Sequence, residues 1–243
     1  MAEADTAGWD AVWAGRTAEL AGGGSVLSAL LVADGRDTPY GRVDEAQWVA
    51  FVQRCATRLD LGPGGSVFEV GCGAGAFLYV LSNSGYAVSG IDRSAALVGS
   101  ARRCMPEGHF EVADAAEFSL TPHPDAVVSC ETFMYFASAD YARAVLSRMA
   151  AKATGAVAVL GVPDAAKKEE ALEHRMRLAG GRRAYEARYR GLEHLYLERD
   201  WLASCFADCG LVDVEVDDQQ LPGYDNAAFR FNCWGYVRHP ARG

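Results

Sequence analysis

No two cysteines of this chain are spaced C-x-x-C. The seven stand scattered at 55, 72, 104, 130, 205, 209 and 233, and the closest pair is Cys205 and Cys209. Such a set excludes a regular disulfide frame or a structural zinc site and reads as reduced core thiols. Long apolar runs are also missing: none approaches the roughly 20 residues of a membrane span. Basic charge is scarce, with 23 Lys and Arg against 32 Asp and Glu, a net charge of -9 and a pI near 5.1. That balance argues against a general nucleic-acid binder and against docking on an anionic membrane surface. The first ten residues, MAEADTAGWD, are acidic and lack the charged and apolar regions of a secretory signal peptide, so a cytoplasmic location is expected. Internal repeats and low-complexity tracts are absent as well.

What is present is enough for a full core: 243 residues, 50% of them hydrophobic. Residues 7–34 read as helical with a break at the glycines 22–24, and 34–42 as a loop. Trp48, Phe51, Val52, Cys55 and Leu59 recur at helical spacing, which predicts a helix over 43–59. From there strands and helices alternate: SVFEV, YAVSGID, HFEVAD, DAVVSC and GAVAVLGV as strands, with helices over 76–84, from Ser94, and over 138–150. This alternation predicts a doubly wound, mostly parallel α/β sheet. The end departs from the pattern. A helix over 163–179, with Leu172, Met176 and Ala179 as its apolar side, leads into an Arg-rich stretch and a helix closed by Gly210. Two alternating segments, 212–216 and 229–237, then predict an antiparallel pair at the sheet's edge. The expected division is an N-terminal helical lid (1–42), a core (43–162), a helical insert (163–200) and a C-terminal completion of the sheet (201–243).

The chemistry centres on SVFEVGCGAGAFLYVL, 66–81, where a strand ends in Glu69 and turns through Gly71, Gly73 and Gly75 into a helix. Glycines at such a turn let backbone N–H groups approach a ligand closely. Two ligands fit this turn, a dinucleotide such as NAD and S-adenosylmethionine (SAM). Asp92, 21 residues after Gly71, ends the second strand and can accept hydrogen bonds from both hydroxyls of a ribose, as either ligand would require. Glu69 and Asp114 tip the balance. So much negative charge disfavours a pyrophosphate and favours a sulfonium with an ammonium group.

The order FEVGCGAG, GIDRS, VADAAEF, PDAVVSCETFMYF resembles the motif series of the class I SAM-dependent methyltransferases, over roughly 43–237. The resemblance implies a seven-stranded Rossmann-like sheet whose last strand is antiparallel, with SAM as cofactor and S-adenosylhomocysteine (SAH) as product. Carried onto this sequence, Glu69, Gly71, Cys72, Gly73 and Gly75 would line the methionine part, Asp92 the ribose, Arg93, Asp114 and Ala115 the adenine, and Cys130 and Glu131 the sulfonium. The stretch SCETFMYF holds one acid, so no metal is expected.

The acceptor pocket is expected over the carboxyl ends of the strands. Its candidate polar residues are Tyr40, Arg42, Tyr135, His174, His194, Tyr196 and Arg230, with Tyr135 and His194 as candidates for catalysis. His194 stands in GLEHLYLERDWL, which resembles an H-x-Y element of many small-molecule methyltransferases. Six arginines and one glutamate lie between 175 and 190. Their bland reading is a solvated helical face. Their sharp one is a clamp, with Arg182 and Arg183, for a carboxylate or phosphate on the acceptor. Together these features predict methyl transfer to an O or N of a small molecule, by analogy one of specialised metabolism, by a monomer or homodimer. The rivals are an NAD(P)-dependent oxidoreductase, which would need a Tyr-x-x-x-Lys element or a second nicotinamide half, neither of which is seen, and a non-catalytic binding protein of the same fold.

Overall fold

A computed structural model describes residues 7–19, 24–38 and 41–238. Two short helices, α1 (Ala7–Ala14) and α2 (Val26–Ala33), precede α3 (Glu45–Arg58). Asp44 starts α3 by accepting from the Ala46 N–H at 2.9 Å, and Trp48, Phe51, Val52 and Cys55 form its buried stripe. The alternating core follows: β1 (Ser66–Val70), α4 (Ala76–Asn83), β2 (Ala87–Asp92), α5 (Ala95–Cys104), β3 (His109–Val112), β4 (Ala126–Cys130), α6 (Ala139–Lys152) and β5 (Ala156–Pro163). The chain ends with α7 (Lys168–Leu178), α8 (Arg182–Tyr189), α9 (Arg199–Asp208), β6 (Leu211–Asp218) and β7 (Arg230–Val237).

The described strands make one seven-stranded sheet in the order β3-β2-β1-β4-β5-β7-β6. β1 to β5 pair in parallel, while β7 runs antiparallel to both β5 and β6. The last strand is therefore antiparallel, as expected. It lies inside the sheet rather than at its edge, because its side chains are buried almost throughout. β6, alternating apolar and acidic, takes the edge, where one face can stay wet. Alternate residues of each central strand feed opposite cores. Val67, Val128 and Ala158 join α2 to α5 on one face, and Phe68, Val127 and Val157 join α6 and α9 on the other. Burial on both faces holds the centre of the sheet rigid.

The strand order reverses between β1 and β4, so the loops at their carboxyl ends diverge and leave a crevice. One detail of the insert differs from expectation. α7 buries Ala171 and Arg175 instead of an apolar Leu172–Met176–Ala179 side, because Arg175 turns inward to polar and aromatic partners. The rest of the Arg-rich stretch folds as α8, none of whose residues is buried, as a solvated helical face requires. Among the described residues no helix is long and apolar enough to cross a membrane.

Candidate active site

A cavity of about 800 Å³ opens at the crevice. Its floor is the glycine turn between β1 and α4. Here three backbone N–H groups, of Gly73, Ala74 and Ala76, are already taken by carboxylates. Asp92 accepts from the Gly73 N–H (3.0 Å) and the Ser94 N–H (2.8 Å). Asp34, at the end of α2, accepts from the Ala74 N–H (2.6 Å) and the Ala76 N–H (3.0 Å). Gly73 has φ 54°, and a Cβ there would lie 2.3 Å from the Asp34 Oδ1. Glycine at this position therefore makes room for a protein carboxylate as well as allowing the left-handed backbone.

Glu69 completes the acidic end. It is buried, lines the cavity, and its Oε2 has no hydrogen-bond partner. Burial, with Asp34 and Asp92 nearby, raises the Glu69 carboxyl well above its usual range. Burial raises Asp92 and lifts Asp34 to about 7, against the opposing backbone hydrogen bonds. A cation among the three would favour their ionised forms, and an anion would oppose them. A phosphate about 5 Å from one of them would be repelled by roughly 3 kcal/mol at an effective dielectric near 20, and a sulfonium attracted by as much. Asp34 also occupies the α4 N-terminus, where a dinucleotide's pyrophosphate would sit. The residues present thus fit SAM and do not fit NAD.

The outer end is built by Arg93, Asp114, Ala115, Phe136 and Tyr141. Arg93 pairs with Asp10 of α1 at 3.2 Å and approaches Asp114 at 3.7 Å. Asp114 accepts from the Tyr141 hydroxyl and from the Ala116 N–H (2.9 Å). α1 covers this end, and Trp9 and Trp13 present their rings edge-on to Tyr135, at 4.8 and 5.4 Å.

At the inner end a carboxylate is paired with arginines. Glu131, just past β4, has φ 56° and lies over Gly161, where a Cβ would be 2.3 Å from its Cγ. Its Oε2 meets Arg36 Nη1 at 2.8 Å and Arg230 Nη1 at 2.6 Å. The Tyr224 hydroxyl donates to the same oxygen, and Gln219 Nε2 to Oε1, both at 2.8 Å. Burial would raise the Glu131 carboxyl, but Arg230 and Arg36 overcome it and hold it below the usual range. Arg36 is itself sandwiched, 4.7 Å from the Trp48 ring and 5.0 Å from the Tyr224 ring.

Of the expected site residues, Glu69, Gly71, Cys72, Gly73, Asp92, Arg93, Asp114, Ala115, Cys130, Glu131 and Tyr135 all line the cavity. Gly75 does not. It starts α4 and packs against Met105. Glu131 lines the inner end paired with two arginines rather than as a free carboxylate. Tyr40 lies outside the described residues. Arg42, Arg182 and Arg183 are exposed and absent from the cavity wall, and Arg182 faces Glu186 one turn on. They correct the expected clamp: the helix that carries the last two turns them to solvent. Arg230 is buried, but behind Glu131, beside a small adjoining pocket shared with His194.

His194 also needs correction as a base. It stacks on Trp9 at 5.1 Å, and its Nδ1 lies 2.9 Å from Arg175 Nη1. A guanidinium only donates, so Nδ1 accepts and the other nitrogen carries the proton. No lone pair remains to take a second proton, and burial with Arg175 and Arg230 pushes the imidazole well below its ordinary value. Among the described residues no cluster of three His, Cys, Asp or Glu side chains could hold a metal ion. Asp34 and Arg36 are the functional residues that the sequence reading passed over. Both sit in a turn-rich segment with no periodic pattern.

Comparison with known proteins agrees with this geometry. A family profile described as a methyltransferase domain matches residues 40–216. A curated relative, the trans-aconitate 2-methyltransferase of Delftia acidovorans, is 29% identical over 126 residues. That match covers 49% of this chain and 45% of the relative, so under half of the relative's length is spanned. Among solved structures, the magnesium protoporphyrin IX methyltransferase of Synechocystis with bound SAH superposes with a TM-score of 0.58 at 14% identity, covering 97% of this chain and 95% of that one. DesVI of Streptomyces venezuelae gives 0.59 at 15% identity over 86% of this chain and 96% of its own. At such identities the likeness is one of fold.

Proposed function

The chain belongs to the methyltransferase-domain family, and from that premise we propose that it transfers a methyl group from SAM to an oxygen or nitrogen of a small molecule. When bound, SAM supplies a methyl already activated on a sulfonium. What the chain supplies is binding and alignment. Glu69, with its unpartnered oxygen, would take the ammonium group, Asp92 the ribose hydroxyls, and the wall at Arg93, Asp114 and Ala115 the adenine. The observation that carries this reading is Asp34 seated on the α4 amides: it removes the anion site of a dinucleotide protein and adds negative charge beside the donor.

α1 and the 163–200 insert act as the cover, with residues 43–162 as the donor-binding core and 201–243 completing its sheet. Trp9 of α1 supports this division by donating from Nε1 to the Glu193 carbonyl at 3.1 Å and stacking on His194. Such a closed cover suits a small acceptor, and by analogy one of specialised metabolism. All seven cysteines are free thiols, in keeping with a reducing cytoplasm.

Calorimetry tests the donor. Heat is expected with SAM and SAH, and none with NADH. Binding of NADH without SAM would overturn the reading. Donor binding with no turnover on any acceptor would point instead to a binding protein of the same fold.

A further inference from the structure

The inner end of the cavity has no cation to spare. Glu131 meets Arg36 and Arg230, and Arg36 is faced by Asp34 and Glu69 as well. An anionic acceptor would find no uncompensated partner here. The rest of the wall is aromatic, with Trp9 and Trp13 of α1 edge-on to Tyr135 and Phe136 beside them. Such a wall suits a flat, uncharged body. It carries one unclaimed polar group. The Tyr135 hydroxyl makes no hydrogen bond among the described residues, although Tyr135 lines the cavity.

The same end offers no ready proton acceptor among the described residues. Glu131 accepts from four side chains and is held ionised by its arginines. His194 has no lone pair to offer. Burial raises the Tyr135 phenol and pushes the Cys130 thiol well up, so both keep their protons. Asp34 and Asp92 each turn both oxygens to backbone amides of the donor floor. A hydroxyl or ammonium acceptor would have to lose a proton before attack. A nitrogen that is neutral at the outset would not. The phenol oxygen, with its own proton in place, can still accept a hydrogen bond.

We propose that the methylated atom is the nitrogen of a neutral aromatic amine, and that the Tyr135 hydroxyl positions it by accepting from one of its N–H groups. This rests on the methyl-transfer reading above. An arylamine is uncharged at neutral pH, and its ring matches the flat wall. The nitrogen lone pair forms the new N–CH₃ bond, while the S–CH₃ bond breaks and its electron pair goes to sulfur. Positive charge passes from sulfur to nitrogen, and the arylammonium then gives a proton to water. The cavity's net charge does not change in the transfer itself, and the surrounding ring faces favour the cation that forms. The bond from N–H to the Tyr135 oxygen turns the lone pair toward the methyl group.

The test uses the whole chain with methyl-labelled SAM and four matched probes at millimolar concentration: aniline, phenol, benzoate and benzylamine. At neutral pH label is expected on aniline, recovered as N-methylaniline. Benzylamine, an ammonium ion there, should take label only as the pH rises. With SAM saturating, kcat for aniline should stay level between about pH 6 and 9, because no base takes part. Tyr135→Phe keeps the ring and removes the oxygen. It is expected to lower kcat for aniline about tenfold, the size of one hydrogen bond, with a smaller effect on KM. Unchanged SAH affinity shows that the variant is folded. Label on phenol or benzoate overturns the proposal, as does benzylamine labelled ahead of aniline at neutral pH. So does a kcat that climbs with pH through a single ionisation, or one indifferent to Tyr135→Phe. A protein that binds SAM and labels none of the probes overturns it too. Failure to bind SAM at all would overturn the underlying methyl-transfer reading instead, and this one with it.

Discussion

Two carboxylate sites face each other across the cavity, and their neighbours drive them in opposite directions. Around the glycine turn, Asp34, Glu69 and Asp92 crowd together, and burial raises all three. At the inner end Glu131 is just as buried, yet Arg230 and Arg36 hold it below its usual range. In each place a glycine with positive φ clears the space, Gly73 for Asp34 and Gly161 for Glu131. The difference lies in the company each carboxylate keeps. At the first group burial outweighs the attraction of nearby Arg36 and Arg93. The second has two arginines against one of its oxygens.

Removing charge at the two ends should therefore have unequal effects, and that inequality is the sharpest test of the contrast. Glu131→Gln strands Arg36 and Arg230 in the interior and is expected to lower unfolding free energy by about 3–5 kcal/mol. Glu69→Gln imitates the protonated form that burial already favours. It should keep stability within about 1 kcal/mol while weakening SAM binding. Urea unfolding of both variants decides; equal losses would erase the distinction.

The next effect is one of pH. Asp34 has its folded value lifted from 3.8 to about 7. The stability it contributes without ligand is fully present below 3.8 and is lost as pH rises through about 7. SAM affinity should move the other way, because only the ionised carboxylate attracts the cation. It should rise by up to about tenfold per pH unit below 7 and level off above, with proton release on binding. Asp34→Asn should flatten this slope, as calorimetry in buffers of different ionisation heat would show. The smallest effect is expected at Arg182 and Arg183. Replacing both by Ala on the exposed face of α8 should leave the acceptor KM and kcat unchanged. A change in KM would return them to the acceptor site.

The sequence discloses the donor end better than the acceptor end for a physical reason. Glu69, Gly71, Gly73 and Asp92 sit where a strand stops and a helix begins, and strand-to-helix turns announce themselves through periodicity and glycine. Arg36 and Glu131 are 95 positions apart and meet only because the α2 end folds over the β1–β4 crevice. No local pattern carries that information. Charge density misled in the same region. Arg182 and Arg183 stand out in a run and face water, while Arg36 stands almost alone in its loop and is buried. Likewise Arg175, inside the same run, is the inward residue of α7, which a reading by apolar residues alone assigns to solvent.

The short segment Asp34-Gly35-Arg36 touches both poles at once, one side chain on the α4 amides and the other on Glu131. Gly35 between them, with φ 80°, gives way to the edge of Trp13. A deletion or insertion of a single residue here would unseat an aspartate and an arginine together. The spacing of this tripeptide is thus a ruler for the enzyme: homologues that keep the interval should keep the polarity of the chamber, and those that alter it should have reinvented their choice of partner molecules.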